Sequence, residues 1–326
     1  MKIVVTDYAF DDLGVEEQVA AAAGVTVVGA QTKDPKQLAA AVADADAVIT
    51  QFAPVNADVI DAMRKARAIV RYGIGVDNVD LAAAKARGIP VCNIPDYCID
   101  EVSDHTLAFI LALTRQVAPQ SRMVHEGGWK LAAPVPAFRT LAGMTCGVVG
   151  FGRIGRGVVR RLVGFGGRVL VSDPVAPADA IAAAGAEAVP LGKLLAESDL
   201  ITLHCPSLPE TKGLINATTI AAAKQGLLLV NLSRGDLVDP TALVAALDSG
   251  RVAGAALDVF APEPIPAGHP ILGRSNVIVA PHVASVSSAA VQRLRTTAAT
   301  IAIAALRGEP LGSIVNGVVG PRVVPA

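Results

Sequence analysis

An α/β protein of two doubly wound, parallel-sheet domains is what three features of this 326-residue chain predict. Strand-like runs alternate with helical patterns along most of its length. A glycine-rich turn, Gly150-Phe151-Gly152-Arg153-Ile154-Gly155, joins a strand to a helix near the middle. A long helical pattern close to the end, Ser287 to Leu306, is long enough to carry the chain back toward its first half. The length suits two domains, each with its own core. The richness in Ala, Val, Leu and Gly suits parallel strands covered by closely packed helices.

The elements follow in order. Ile3-Val4-Val5 reads as a strand, Glu16 to Ala23 as a helix, and Val25 to Gly29 as a strand. Pro35 to Val42 is a helix that Pro35 starts. Ala47 to Thr50, Ala57 to Ala66 and Ala68 to Arg71 repeat the alternation, ending at Gly73-Ile74-Gly75. Leu81 to Arg87 then precedes Pro90 to Asn93. Glu101 to Gln116 is apolar over most of its circumference, which predicts a buried helix between two domains. Pro119 to Leu141 breaks the rhythm with Gly127-Gly128, the only tryptophan (Trp129), Pro134 and Pro136. So long a segment without secondary structure is unusual in a compact protein; it is either a functional arm or an interface, and its aromatic, prolines and apolar content lean toward a subunit contact and a homodimer.

The second series opens with Cys146 to Val149 as a strand, the glycine turn, and a helical pattern carried by Ile154, Val158, Leu162 and Phe165. Arg168 to Val171 is a strand leading to Asp173. Leu191 to Glu197 is a helix, and Leu200 to Leu203 a strand ending in His204-Cys205-Pro206. Thr218 to Lys224 is a helix, and Leu227 to Asn231 a strand ending in Ser233-Arg234-Gly235. Thr241 to Leu247 is a helix, Ala255 to Val259 a strand containing Asp258, and Val277 to Val279 a strand ending in Ala280-Pro281-His282. Polar residues thus fall just beyond the carboxyl ends of several strands, where open α/β sheets bind ligands. The last residues, Leu311 to Val324, read as extended and apolar.

Strand, G-x-G-x-x-G, helix, second strand and terminal acid stand in the order a dinucleotide site requires. Gly150 permits the tight turn, Gly152 the approach of a pyrophosphate, and Gly155 the close packing of helix on strand. The helix start offers N–H groups and positive dipole to phosphates. Asp173, eighteen residues past the last glycine, can accept hydrogen bonds from a ribose diol and repel a 2′-phosphate. The competing reading is a glycine-rich turn in an ordinary βαβ unit. The expected domains are 1–98, the first part of a flavodoxin-like substrate-binding domain; 99–288, a Rossmann dinucleotide-binding domain; and 289–326, the return helix and the rest of the first domain.

A formal net charge of −1 supplies no electrostatic footprint for nucleic acid. Cys92, Cys98, Cys146 and Cys205 lie scattered with no C-x-x-C, which predicts reduced thiols in a cytoplasmic protein and no zinc site. Met1-Lys2 leads straight into a strand, so no signal peptide is expected, and no apolar run is long enough to span a bilayer.

A nicotinamide site needs a cation for a substrate carboxylate, a proton carrier, and a group that tunes that carrier. Arg234 follows a strand of the dinucleotide half and can bind a carboxylate through two parallel hydrogen bonds. Five histidines compete as acid/base. His105 reads as a core residue of a buried helix, His125 lies in the irregular arm, and His269 in a turn. His204 and His282 both end strands and are equal on position. Glu263, in Pro262-Glu263-Pro264, tilts the choice to His282 because a rigid loop can hold a carboxylate beside the imidazole.

The chain resembles the D-isomer-specific 2-hydroxyacid dehydrogenase family over essentially its whole length. The matching stretches are Arg71 to Asp80, the helix from Glu101, the Gly150 fingerprint, Asn231 to Gly235, Leu257 through Pro264, and Pro281 to Ala284. The resemblance implies that Arg234 orients the substrate carboxylate and carbonyl. It makes His282 the acid/base and Glu263 its hydrogen-bond partner. It adds Arg71 and the Ile74 and Gly75 amides on the substrate side, and Asp258 opposite the nicotinamide carboxamide. Gly150, Gly152, Arg153, Ile154, Gly155, Asp173, His204 and Pro206 would line the cofactor. Val91 to Pro95 and Leu203 to Cys205 resemble the branch that includes the C-terminal-binding-protein co-repressors, but Ser285 stands where those proteins carry a tryptophan. Formate dehydrogenases place a glutamine where this chain has Glu263.

The reading is an NAD-dependent oxidoreductase that interconverts a small 2-oxo acid and its D-2-hydroxy acid, of the glyoxylate, hydroxypyruvate or 3-phosphoglycerate type, in a cleft between domains. The alternative is an NAD(H)-sensing, co-repressor-like scaffold with little turnover.

Overall fold

A strand buried on both faces has no polar side to alternate with, so it reads as a continuous apolar run. Ala47–Thr50, Leu200–Leu203 and Leu227–Asn231 are such runs, buried at every position. In the computed structural model, which describes residues 1–323, they are interior strands of two parallel sheets. The chain divides into two compact units: Met1–Tyr97 with the chain from Ser287 onward, and Cys98–Val286.

The first unit contains β1 (Lys2–Val5), α1 (Gly14–Ala21), β2 (Thr26–Gly29), α2 (Pro35–Val42), β3 (Ala47–Thr50), α3 (Ala57–Ala62), β4 (Ile69–Arg71), α4 (Leu81–Ala86) and β5 (Val91–Cys92). Its sheet order is β2-β1-β3-β4-β5, all parallel. Asp34, Asn56 and Asp80 start α2, α3 and α4, each side chain accepting from the amide three residues on. Val4, Val48, Ile69, Leu38, Ile60 and Ile89 share the core. The C-terminal helix Ser288–Arg307 packs against α1, β3 and β4. Ser287 caps its start and Gly308, at φ 72°, ends it. Beyond it Ile314 bridges Cys92 antiparallel, and Asn316 accepts from the Val91 N–H and donates to the Ile89 carbonyl. Val324, the end of the expected extended tail, lies outside the described residues.

The second unit contains α5 (Ile99–Thr114), α6 (Val117–His125), β6 (Thr145–Val149), α7 (Arg153–Val163), β7 (Arg168–Ser172), α8 (Ala178–Ala183), β8 (Glu187–Ala188) and α9 (Leu191–Glu197). It continues with β9 (Leu200–Leu203), α10 (Ala217–Ala222), β10 (Leu227–Asn231), α11 (Pro240–Asp248), β11 (Val252–Leu257) and β12 (Val277–Val279); Ser288–Arg307 is then α12. The seven strands are parallel in the order β12-β11-β10-β9-β6-β7-β8. Ile201, Leu229, Ala255, Leu194 and Leu243 share its core. Helix α5 packs on α7, where Gly157 makes the approach possible: a Cβ there would lie 2.4 Å from Ser103 Oγ.

Four expectations change. Val117–His125 is helical, not irregular. Pro119 falls in the first turn, where its missing N–H costs nothing, and Gln116 at φ 54° separates the helix from α5. Phe165 lies past the end of α7 and is 42% exposed, because Gly164 and the glycines after it end the helix. Strand β11 starts at Val252 and ends at Leu257, so Asp258 follows it. Helix α8 and the two-residue strand β8 were not expected; they are short, and β8 is exposed at the sheet edge.

Candidate active site

From β6 the chain moves outward to β7 and β8 on one side, and β9 restarts on the other. Connections diverge there, at the carboxyl ends of β6 and β9, which is where open α/β sheets form a ligand crevice. The three glycines of the turn that follows β6 serve three different purposes. Gly150 has φ 96°, and a Cβ on it would lie 2.7 Å from the His204 carbonyl, at the end of the neighbouring strand. A Cβ on Gly155 would lie 2.1 Å from the Gly150 oxygen, so helix and strand pack only through glycine. A Cβ on Gly152 would meet no atom within 4 Å. Gly152 is also the N-cap of α7, and no side chain caps that helix. An uncapped start beside open space fits a phosphate group. Arg153 is exposed and Ile154 half-buried at this start.

Asp173 stands past the end of β7. One oxygen accepts from the Phe151 N–H at 2.7 Å, and the other from the Val175 and Ala176 N–H groups at 2.8 and 2.9 Å. Burial raises this carboxyl, but the three amides outweigh burial and hold it below the usual carboxylate range. The acid is therefore ionised and tied to the glycine turn itself. Its placement fits the ribose of a dinucleotide, so these residues together fit NAD.

His204, past β9, pairs Nε2 with Thr202 Oγ1 at 2.9 Å, and burial pushes its imidazole down to about 3. It stays neutral at ordinary pH and has no proton to lend from an imidazolium. It lies beside the glycine turn, two residues before exposed Pro206.

Past β10, the Asn231 side chain closes the Arg234 turn: its Nδ2 donates to the Arg234 carbonyl at 2.8 Å and its Oδ1 accepts from the Ser233 N–H at 3.0 Å. Ser233 Oγ donates to the Cys205 carbonyl, tying this turn to the one after β9. Gly235 brings the turn against the chain that carries Glu263, since a Cβ there would lie 2.0 Å from the Phe260 carbonyl carbon.

His282, past β12, meets Glu263 directly, with Nδ1 to Oε2 at 2.8 Å. The other Glu263 oxygen accepts from the Phe260 N–H at 2.9 Å. Burial alone would raise Glu263; the His282 and Phe260 hydrogen bonds, with the charges of His282 and Arg234, reverse that and hold the carboxyl low. Its pairing with Nδ1 places a proton on that nitrogen. His282 adopts φ 57°, and its N–H donates to the Asp258 carbonyl at 2.8 Å. Asp258 is 1% exposed, and its two oxygens accept from the Val283 and Ala284 N–H groups at 2.9 Å each. Besides the cofactor role that the resemblance implies for it, Asp258 braces the turn that carries His282. The remaining histidines lie elsewhere: His105 packs edge-on to Phe109 at 4.5 Å, His125 ends α6, and His269 precedes Ile271 in a turn.

In the first unit, Arg71 ends β4. Gly73, at φ 142°, makes room for its guanidinium: a Cβ there would lie 1.5 Å from Nη1. The Gly73 carbonyl accepts from the Ile94 N–H at 2.9 Å and the Ile74 carbonyl from Asn93 Nδ2 at 2.6 Å. In a trans peptide the N–H points opposite the C=O. Each anchor therefore turns the next N–H, that of Ile74 or Gly75, away from itself. The sequence reading missed Asn93 as the anchor, although an Asn directly after a buried strand is the signal for it. Among the described residues, no group of His, Cys, Asp and Glu could hold a metal, and no helix is long and apolar enough to cross a membrane.

The chain is similar to known proteins over most of its length. Residues 107–284 match the family model described as "D-isomer specific 2-hydroxyacid dehydrogenase, NAD binding domain". A glyoxylate reductase of Korarchaeum cryptofilum is 41% identical over 278 residues, covering 84% of each chain. A D-3-phosphoglycerate dehydrogenase of Mycobacterium leprae is 41% identical over 297 residues, covering 90% of this chain but 56% of that protein, so the chain spans little more than half of it. The structure of an Aquifex aeolicus D-lactate dehydrogenase with NAD and lactic acid superposes with a TM-score of 0.84 at 28% identity, covering 94% of this chain and 96% of that one.

Proposed function

The chain belongs to the NAD-dependent, D-isomer-specific 2-hydroxyacid dehydrogenase family, and we propose that it interconverts a small 2-oxo acid and its D-2-hydroxy acid. The substrate class is that of glyoxylate, hydroxypyruvate or 3-phosphohydroxypyruvate. The observation that carries this reading is the 2.8 Å pair of His282 and Glu263 in the same row of strand ends as the Arg234 turn and the Gly150 turn. When bound, NADH supplies the hydride to the carbonyl carbon. Gly150, Gly152, Arg153, Ile154, Gly155 and Asp173 are assigned to hold it, with His204 and Pro206 alongside and Asp258 toward the nicotinamide carboxamide. Arg234 takes the substrate carboxylate, because a guanidinium offers two parallel donors to it. His282 gives a proton from Nε2 to the carbonyl oxygen in reduction and takes it back in oxidation. Glu263 holds Nδ1 and balances the imidazolium charge. Asp258 and Glu263 together fix where the imidazole sits. Arg71 and the Ile74 and Gly75 amides are assigned to the substrate's anionic groups.

A homodimer is the proposed assembly. Val117, Val124, Trp129, Leu131 and Val135 are 54, 50, 91, 55 and 70% exposed within one short stretch, more apolar surface than a solvated arm needs. Cytoplasmic location is proposed from the cysteines, all buried; burial pushes the thiols of Cys92 and Cys146 up to about 12 and that of Cys205 up to about 11.

Chiral analysis of the product tests the proposal. Reduction of hydroxypyruvate or pyruvate by NADH should yield the D-2-hydroxy acid. An L product would contradict the assigned geometry of Arg234 and His282.

A further inference from the structure

Behind the Arg71–Gly75 turn, the first unit buries two charges. Glu16 of α1 is wholly inaccessible and Arg295 of α12 is 8% exposed. Arg295 Nε donates to Glu16 Oε1 at 2.9 Å, and Nη2 donates to Oε2 at 2.7 Å. Tyr72, 1% exposed, donates its hydroxyl to Glu16 Oε1 at 2.8 Å. Arg295 Nη2 also donates to the Asp12 carbonyl at 2.8 Å. The Phe10 ring covers the guanidinium at 4.9 Å and meets Tyr72 edge-on at 5.5 Å. The cluster joins α1, α12 and the end of β4.

Such a cluster is a weak source of stability. Taking both ions out of water is costly, and well-packed apolar residues of similar volume are often as stable. What ions and hydroxyl supply that apolar side chains do not is direction. Tyr72 is where direction matters. Its N–H donates to the Thr50 carbonyl at 2.8 Å, extending the β3–β4 pairing by one residue before the chain turns at Gly73. Successive side chains on a strand leave opposite faces, so Arg71 and Tyr72 diverge there. Asn93 and Ile94 orient the next two peptides, while Tyr72 sets the point from which the turn departs.

We infer that Tyr72, Glu16 and Arg295 form a positioning device for the Ile74–Gly75 amide pair, and through it for the substrate carboxylate. The inference rests on the assignment of those amides to the substrate. The three residues touch no substrate themselves; they act through the backbone of the turn.

Tyr72→Phe is the test. It keeps the ring packed against Phe10 and removes one hydroxyl. The KM for glyoxylate or hydroxypyruvate should rise about tenfold, the scale of a hydrogen bond to a charged group. The turnover number should stay within about twofold, as expected when uniform substrate binding alone is lost, and the NADH dissociation constant should not move. Glu16→Gln should raise the same KM. Because both act through one contact, the double variant should match the larger single effect. A KM in Tyr72→Phe equal to that of the wild type, with or without a lower Tm, would overturn the inference. So would effects that multiply in the double variant. A wild type that turns over no 2-oxo acid would instead overturn the functional reading, and this inference with it.

Discussion

His282 and Glu263 are assigned to act as one unit. Removing the imidazole in His282→Ala should lower turnover on the order of 10²–10⁴-fold, the usual effect of a lost general acid. Glu263 supports a prediction whose sign follows from its lowered titration. A depressed carboxyl is ionised above its own titration and loses its pairing only as pH falls through it. The Glu263–His282 contact should therefore persist from neutrality down through the ordinary carboxylate range, near pH ~4.3. No acid limb from Glu263 should appear in the reduction profile above that range. Glu263→Gln removes the carboxylate that holds Nδ1, so turnover should fall while NADH binding holds. Steady-state kinetics and NADH titration of wild type and variant decide it; an unchanged kcat would remove Glu263 from its role. His204, held near 3 by burial, should contribute no limb between pH 5 and 9.

Elements place these residues through contacts that only glycine permits. Gly235 lets the turn after β10 lie against Phe260, three residues before Glu263. Gly235→Ala must push that backbone aside, at about 1–3 kcal/mol for overpacking. The atoms a Cβ there would meet first belong to Phe260 and Ala261. Turnover should therefore fall while NADH binding, assigned to the β6–α7 turn, changes little; an equal loss of both would contradict the local assignment. Much of this was legible in the sequence. Pro35 to Val42, Leu191 to Glu197, Leu200 to Leu203 and Leu227 to Asn231 have the bounds their patterns predict. Each is a clean run with a cap or a turn at its end. The Val117–His125 helix was hidden by Pro119, because a proline signals a break unless it falls in a first turn. The role of Asp258 was hidden for a different reason. Its partners, Val283 and Ala284, lie about 25 residues away, and no local pattern announces a carboxylate that binds distant amides. The Glu16–Arg295 pair was not legible, because it joins helices at opposite ends of the chain.

At the scale of the whole molecule, the assembly and the choice of cofactor are the open consequences. The exposed apolar stretch around Trp129 predicts a homodimer at micromolar concentration, and light scattering that shows a monomer would contradict it. The carboxylate of Asp173, kept ionised by three amides, should repel a 2′-phosphate. NADH should be preferred to NADPH by at least about tenfold in kcat/KM, a modest share of what two adjacent charges can supply. Asp173→Ala should erode that preference.

Arg234, Glu263 and His282 are the residues assigned to reduce a 2-oxo acid at the expense of NADH, and every other role depends on that assignment. Its most direct test is NADH oxidation by the wild type, followed at 340 nm by the standard absorbance assay, across glyoxylate, hydroxypyruvate, pyruvate and 3-phosphohydroxypyruvate, with His282→Ala as control. Substrate-dependent oxidation is expected with at least one of these acids, with near-complete loss in the variant. NADH binding without turnover on every acid, or undiminished turnover in His282→Ala, would contradict it.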